Sequence, residues 1–501
     1  MSLIENLETG FAVAANPINI LFCFLGCLLG TLVGVLPGIG TIATIAVLLP
    51  VTFGLQPETA IIMLAGIYYG AQYGGSTTSI LVNMPGEASS IVTCLDGHQM
   101  AKNGRAGVAL SIAALASLFA GIVGTIVVAA FAPALGSFAN AFRSPEYCLL
   151  LVFGLLSAVV LSNGSPVKAV AMIFLGLLIG LVGQDPTSGT LRYTFGIPDL
   201  VEGLDFVAVS LGLFGLSEVM NNLERNSAAR SGLVAKIETL WPGLDDIRTS
   251  WRPALRGTAL GSLIGILPGG AATISSFASY ALERRVSRTP DRFGRGAIEG
   301  VAGPEAANNA ASQTSFIPLL TLGIPSNAVM ALMAGALMIQ GIVPGPQIIT
   351  EQPNLFWGLI VSMLIGNVML VIINLPLVGI WVRLLKVPYR VLFPMIVIFC
   401  AIGIYSTNNS AAVIMVLALF ALLGYLFAKL GCECAPFILG FILGPLMEEN
   451  FRRSMALSRG SLEIFVSRPL CIALLIAITL LLLVVVVPSF RKTRDEAVFE
   501  D

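Results

Sequence analysis

Long apolar stretches separated by short polar joints run through almost the whole chain. They cover roughly 17–36, 41–54, 58–75, 106–132, 146–162, 166–184 and 205–221, and after a polar interval 254–268, 271–282, 312–323, 326–343, 354–382, 391–404, 410–430, 435–447 and 469–487. A helix needs about 20 residues to cross a hydrocarbon core of about 30 Å. Stretches such as 106–132 and 469–487 are long enough, and several others are too short. Outer-membrane barrel strands alternate apolar and polar positions and give no such runs. The pattern predicts an all-α polytopic membrane protein with about 11–12 membrane segments. The short pieces read as re-entrant or broken half-helices, which persist only where protein or a water-filled cavity satisfies their backbone groups.

The pattern also repeats. Residues 26–40 read GCLLGTLVGVLPGIG and residues 257–271 read GTALGSLIGILPGGA. Gly26, Gly30 and Gly34 match Gly257, Gly261 and Gly265, and Leu36-Pro37-Gly38 matches Leu267-Pro268-Gly269, all 231 residues apart. Glycines every fourth residue form a smooth stripe against which another helix can close, and the proline that follows stops or turns the helix. Downstream, Ser76-Thr77-Thr78-Ser79 corresponds to Ser312-Gln313-Thr314-Ser315. Each string is followed by a short apolar piece and a proline-led polar tip, Asn83-Met84-Pro85-Gly86-Glu87 and Gly323-Ile324-Pro325-Ser326-Asn327. This divides the chain into a first transmembrane repeat (17–221), a polar connection (222–253), a second repeat (254–447), and a last helix with a charged tail (448–501).

Paired short segments at matching places in two halves point to the binding site of a secondary transporter. Half-helix N-termini present free N–H groups and a positive dipole end, which suit carboxylates. The candidate substrate contacts are Gln72, Ser76, Thr77, Thr78, Ser79 and Asn83 in the first half, and Asn309, Ser312, Gln313, Thr314 and Asn327 in the second. Gly34, Pro37, Gly38, Pro85, Gly86, Gly265, Pro268, Gly269 and Pro325 are the helix-breaking and packing positions. Serine and threonine also bond back to their own helix, so any single hydroxyl is a weaker signal than its segment. Ionisable groups inside membranes are functional candidates. Glu87 and Glu305, with Asn308, are therefore the ion-coupling candidates, the competing role for the two acids being a helix cap or an interfacial position. Asp96 and His98 precede Lys102 and Arg105 and read as a solvated loop. Glu448, Glu449, Arg452 and Arg453 read as interfacial ion pairs.

Composition sharpens this picture. Of 501 residues, 56 % are hydrophobic and 11 % charged, against about 25 % charged in a soluble domain. Net charge is −1 and gives no reason to expect nucleic acid. Eleven of the 27 basic residues fall within 222–295, and Arg491, Lys492 and Arg494 follow the last span, which marks both as cytoplasmic by the positive-inside rule. The N-terminus carries Glu5 and Glu8 before the first span, favouring the opposite side and an odd number of crossings. It has neither a basic n-region nor a small-residue cleavage site, so no removable signal peptide is expected. The eight cysteines lack zinc or redox spacing and read as buried thiols. With one histidine, and with no P-loop, HExxH or GxSxG motif, the chain does not read as an enzyme or an ATPase. No Lys or Arg lies between Met1 and Ala101 or between Gly296 and Trp381. An anion at the tips would thus be held by backbone N–H groups, hydroxyls, amides and a co-bound cation.

Several long strings carry a family resemblance: YGGSTTSILVNMPGEASSIVTCLDGHQMAKNGRAG, GILPGGAATISSFASYALERRVS, FGRGAIEGVAGPEAANNAASQTSFIPLLTLGIPSNAVMALMAGALMIQGIVPGP and FILGFILGPLMEENFRRS. The chain resembles the large membrane subunit of the tripartite tricarboxylate transporters, the TctA family, over residues 11 to 480. The resemblance implies a bacterial inner-membrane subunit carrying the translocation path. It implies a small four-helix membrane subunit and a periplasmic substrate-binding protein as partners. It further implies an ion gradient, usually Na⁺, as energy source, no other cofactor, and citrate or other small di- and tricarboxylates as substrates. The competing readings are a passive anion channel and a membrane-embedded scaffold subunit. Gly-rich half-helices and the polar stretch 283–311 would form the moving unit of a transporter.

Overall fold

A computed structural model describes residues 3–36, 40–139, 141–161, 165–185, 188–225, 239–267, 271–384, 389–408 and 410–486. It is 81 % helical. The first half contains α1 (Leu3–Ala14), α2 (Pro17–Val35), α3 (Thr41–Leu48), α4 (Pro57–Val82), α5 (Ile91–Met100), α6 (Ala106–Ala139), α7 (Ser144–Leu161) and α8 (Pro166–Gly180). A two-stranded antiparallel pair, β1 (Gly183–Gln184) with β2 (Leu191–Arg192), then leads to α9 (Phe206–Ser210) and α10 (Ser217–Arg225). The second half contains α11 (Leu244–Gly265), α12 (Ala271–Val286), α13 (Glu299–Thr314), α14 (Phe316–Leu322), α15 (Ala328–Ile339) and α16 (Gln347–Glu351). It closes with α17 (Pro353–Asn374), α18 (Val378–Leu384), α19 (Tyr389–Asn408), α20 (Ala411–Lys429), α21 (Cys434–Leu457) and α22 (Pro469–Val486). Among the described residues four helical stretches are long and apolar enough to cross a membrane: Pro17–Val35, Ala88–Ala134, Pro353–Asn374 and Ala411–Lys429.

Both glycine stripes serve close helix packing. A Cβ at Gly26, Gly30 or Gly34 of α2 would stand 2.3, 2.2 or 2.4 Å from the carbonyl oxygens of Met63, Ile67 and Ala71 on α4. A Cβ at Gly257 or Gly261 of α11 would stand 2.1 or 2.2 Å from those of Gly303 and Ala307 on α13, and Gly265 lies against Ala311 and Thr314. In each pair the residue numbers rise together, so α2 runs parallel to α4, and α11 to α13, with the chain returning through α3 or α12. Between the halves the sense reverses. Ser76 of α4 meets Glu305 of α13, while the Tyr69 ring lies 6.1 Å from that of Phe316, so α4 runs antiparallel to α13 and α14.

The turns that follow correspond as well. Asn83 ends α4 in the left-handed conformation (φ 58°) and Gly323 ends α14 in the same way (φ 71°), 240 residues later. Pro85 and Pro325, and Glu87 and Asn327, share that spacing. The hydroxyl strings matched in the sequence are only 236 apart, so the structure sets them one helical turn out of step.

The halves differ in continuity. The first string lies inside α4, which runs unbroken to Val82 where the sequence suggested an interruption. In the second half Ser315 separates α13 from α14; Pro318, one turn on, has no N–H to give the carbonyl of Thr314. Pro37, Gly38, Pro268 and Gly269 lie outside the described residues.

One further expectation needs correction. Residues 91–100 form α5 rather than a solvated loop, and Asp96 is fully buried. Its carboxylate accepts from Gly296 N and Ala297 N at 2.8 Å each and from the Tyr280 hydroxyl at 2.9 Å, tying α5 to the entry of α13 and to α12. Within the polar stretch 283–311, the residues from Gly300 onward form a fully buried helix.

The ends of the bundle differ in chemistry. At one end Lys168 Nζ donates to Leu430 O at 2.6 Å, and Lys429 pairs with Glu224 and Arg105 with Asp246. At the other, Arg192 and Arg452 each bridge Asp185 and Glu448 at 2.6–3.0 Å, closing a ring of four alternating charges between the hairpin and α21. Arg468 pairs there with Glu146, and Arg453 with Glu449.

Candidate functional site

The crossing of α4 with α13 is polar and buried. Ser76 Oγ donates to Glu305 Oε2 at 2.7 Å, and Thr93 of α5 donates to Oε1. Ser117 of α6 lies beside the same carboxylate and accepts from Asn309 Nδ2 at 2.7 Å. Hydroxyls rather than a basic side chain therefore hold both oxygens of Glu305. A cleft opens here, lined by Tyr73, Ser76, Thr77, Ser117, Glu305 and Asn374 among others.

The two proline tips close on the same crossing. A Cβ at Gly86 would stand 2.1 Å from Gly34 O and 2.7 Å from Gly75 Cα, so the first tip fits only because these positions lack side chains. Glu87 Oε1 then accepts from Thr41 N, the first N–H of α3, at 3.0 Å. In the second half Ser326 Oγ donates to Ser315 O at 3.3 Å, and Asn327 Oδ1 accepts from Met330 N at the start of α15 at 2.9 Å. Tyr68 faces Ser312, Ser315 and Asn327, with Glu87 within electrostatic range. Gln72 Oε1 accepts from Ser89 at 2.8 Å, just past the first tip.

Several buried polar atoms around this crossing have no protein partner. They are both amide atoms of Asn308 and of Gln313, Oδ1 of Asn309, Asn367 and Asn374, and the hydroxyls of Tyr69 and Tyr73. Each such atom costs about 1–3 kcal/mol if left unpaired, and native proteins keep few of them. They are concentrated on α4, α13 and α17 and form a set of neutral donors and acceptors.

The sequence candidates divide by role. Ser76, Thr77 and Glu305 share the cleft, and Asn309 joins them through Ser117. Ser312, with Asn327, faces Tyr68. Asn308 and Gln313 are buried with free amides. Thr78 Oγ1 donates to Val35 O at 2.8 Å and Ser79 Oγ to Ser90 Oγ at 3.0 Å, so both are engaged in packing contacts. Thr314 bonds back to Ala310 O at 3.0 Å, beside Gly265. Asn83 is an exposed helix end, and Glu87 and Asn327 are helix caps. Tyr68, Tyr69, Tyr73, Thr93, Ser117, Asn367 and Asn374 were not found from the sequence. Ser117, Asn367 and Asn374 are isolated polar residues inside long apolar runs, itself a signal of function in a membrane.

The chain is similar to known proteins. A protein from Agrobacterium vitis described as an uncharacterized 52.8 kDa protein in the TAR-I ttuC' 3'region is 54 % identical over 501 residues, the whole of both chains. A second from the same organism, described as an uncharacterized protein in the TAR-II ttuC' 3'region, is 56 % identical over 241 residues, 48 % of this chain and all of its own. No solved structure matches the chain significantly. The model of the tripartite tricarboxylate transporter TctA family matches residues 20–439, and the chain belongs to that family, the large subunit of tripartite tricarboxylate transporters.

Proposed function

We propose that the chain is the translocation subunit of a secondary active uptake system for small di- and tricarboxylates such as citrate, driven by an ion gradient, with Na⁺ as the ion. It works in the bacterial inner membrane with a small four-helix membrane subunit and a periplasmic binding protein that delivers the substrate. The observation that carries this reading is the buried polar crossing of α4 with α13, on which two proline tips close and whose helix α13 carries the unpaired amides of Asn308 and Gln313, without a basic side chain from the tips or from α13. Neutral donors hold a carboxylate reversibly, as a carrier needs, whereas a buried fixed cation without a partner would be costly in its absence.

The halves act as inverted repeats. Support comes from the parallel glycine-striped pairs α2–α4 and α11–α13, the antiparallel crossing of α4 with α13, and the tips 240 residues apart. Inverted repeats meeting at interrupted helices are a common plan of secondary transporters. The end holding Lys168 and Lys429, together with the basic connection 222–253, faces the cytoplasm by the positive-inside rule. On that orientation α2 enters from the opposite side, because it runs parallel to α4 and α4 antiparallel to α13.

The test is uptake into proteoliposomes holding the chain and its small partner, with a panel of radiolabelled di- and tricarboxylates, an imposed Na⁺ gradient, and the binding protein present or omitted. Saturable uptake needing both the gradient and the binding protein is expected. Gradient-independent flux without the binding protein would make the chain a channel, and no flux under any condition would make it a scaffold.

A further inference from the structure

Ser117, Gly121 and Gly124 follow one another along one face of α6, and each meets a different buried carboxamide. Ser117 Oγ accepts from Asn309 Nδ2 at 2.7 Å. Gly121 leaves the room that Asn367 of α17 fills, since a Cβ there would stand 2.1 Å from Asn367 Oδ1. Gly124 lies against Gln313, with a Cβ falling 2.9 Å from the Gln313 Cβ. One helical turn rises about 5.4 Å, so the three amides gather within about two turns of α6. Asn309, Gln313 and Asn367 are 1 %, 0 % and 0 % exposed.

The orientation of two of these amides is fixed by chemistry. Asn309 Nδ2 donates to Glu305 O at 3.1 Å and Asn367 Nδ2 to Met363 O at 2.7 Å. A backbone carbonyl only accepts, so the atom facing it must be the NH₂ group. The oxygens of both amides therefore point the other way, and both are buried and unpaired, as are both amide atoms of Gln313. Fixed carbonyl oxygens with no donor leave the negative ends of their dipoles uncompensated along this seam. The nearby charge is Glu305, one turn before Asn309 on α13. Neutral oxygen ligands with a single carboxylate suit a hard monovalent cation; divalent sites draw on several carboxylates, and softer metals on Cys or His.

We propose that the seam between α6, α13 and α17 binds a sodium-sized monovalent cation through Asn309, Asn367 and Gln313, with Glu305 supplying the countercharge. The link of this ion to transport rests on the function proposed above, whereas the site rests on the unpaired oxygens. It moves ion binding away from Glu87 and the tips and onto α17, which the sequence motifs did not implicate.

The test uses the purified chain in detergent, exchanged into choline chloride and titrated with NaCl at constant total chloride while thermal unfolding is followed. A saturable, sodium-selective rise in Tm is expected. Asn367→Leu and Gly121→Ala should move its midpoint at least about tenfold higher. Ser362→Ala, on the same helix with a hydroxyl bonded only to Leu359 O at 2.7 Å, should keep the wild-type midpoint. If both disruptive variants fail to fold, Asn367→Asp retains size and oxygen while adding charge, and a changed midpoint is expected. No sodium-specific response in the wild type, or wild-type midpoints in the seam variants that fold, overturns the proposal. Sodium-driven uptake by such a chain would still leave the transport reading standing. A sodium-selective shift lost in the seam variants supports the site even in a chain that transports nothing.

Discussion

Replacing Gly30 by alanine tests the coupling between the glycine stripe and the binding centre. The new Cβ would stand 2.2 Å from Ile67 O, whereas carbon makes favourable contact only at about 3.5 Å. Helices α2 and α4 must therefore part by about 1 Å at this point. The strain cannot be relieved locally, because Gly26 and Gly34 on one side and Gly70 and Gly74 on the other make the same close approach, with added Cβ atoms 2.3–2.5 Å from carbonyl oxygens. Overpacking of this kind costs about 1–3 kcal/mol. Helix α4 also carries Gln72 and Ser76, so its displacement stretches the 2.7 Å bond from Ser76 to Glu305. A misplacement of about 1 Å can lower a rate about a hundredfold. Gly30→Ala should lower both Tm and proteoliposome uptake, and Gly261→Ala should do the same from the other half, its Cβ falling 2.2 Å from Ala307 O. Gly54→Ala is the control, with no atom within 4 Å of its added Cβ. Wild-type Tm and uptake in Gly30→Ala would refute the claim that the stripe sets the position of the site.

Three further substitutions probe other parts of the account. Asp96→Ala leaves Gly296 N, Ala297 N and the Tyr280 hydroxyl unpaired, at about 1–3 kcal/mol each. A large loss of Tm is expected, and an unchanged one would show that this buried carboxylate does not anchor α13. Thr93→Val removes the donor to Glu305 Oε1 while keeping the shape. A hydrogen bond to a charged group is worth about 1.5–3 kcal/mol, so uptake should fall about tenfold or more, whereas a wild-type rate would exclude Glu305 from the path. Arg192→Met opens the ring with Asp185, Glu448 and Arg452. It should cost about 1.5–3 kcal/mol in denaturation, and a stability equal to wild type in low salt, where the ring is least screened, would contradict its role.

The lipid-facing architecture was legible because hydrocarbon demands apolar helices of limited length. Segments 17–36 and 41–54 end within one residue of the observed α2 and of α3 with its following turn, Leu49–Gly54. The centre was less legible. Helix α13 carries EAANNAASQT and is buried by protein rather than lipid, so a search for apolar stretches passed over most of it. Helix α5 was missed for the same reason, its Asp96 satisfied inside the bundle instead of by water. The glycine stripes and tips announced their places, since only small residues and prolines produce such contacts. The hydroxyl strings misled the register by one turn, because string similarity does not record which helix face meets a partner. Asn367 and Asn374 stood alone within an apolar run, where no motif drew attention to them.

The central claim is that the polar crossing moves carboxylate against its gradient at the expense of an ion gradient. Its most direct measurement is the ratio of internal to external citrate, or of whichever carboxylate the panel identifies, in proteoliposomes containing the complete three-part system, before and after the Na⁺ gradient is collapsed with an ionophore. The account predicts accumulation well above the external concentration while the gradient stands, and decay toward equality once it is gone. A ratio that never exceeds one, with rapid equilibration in both conditions, would contradict it.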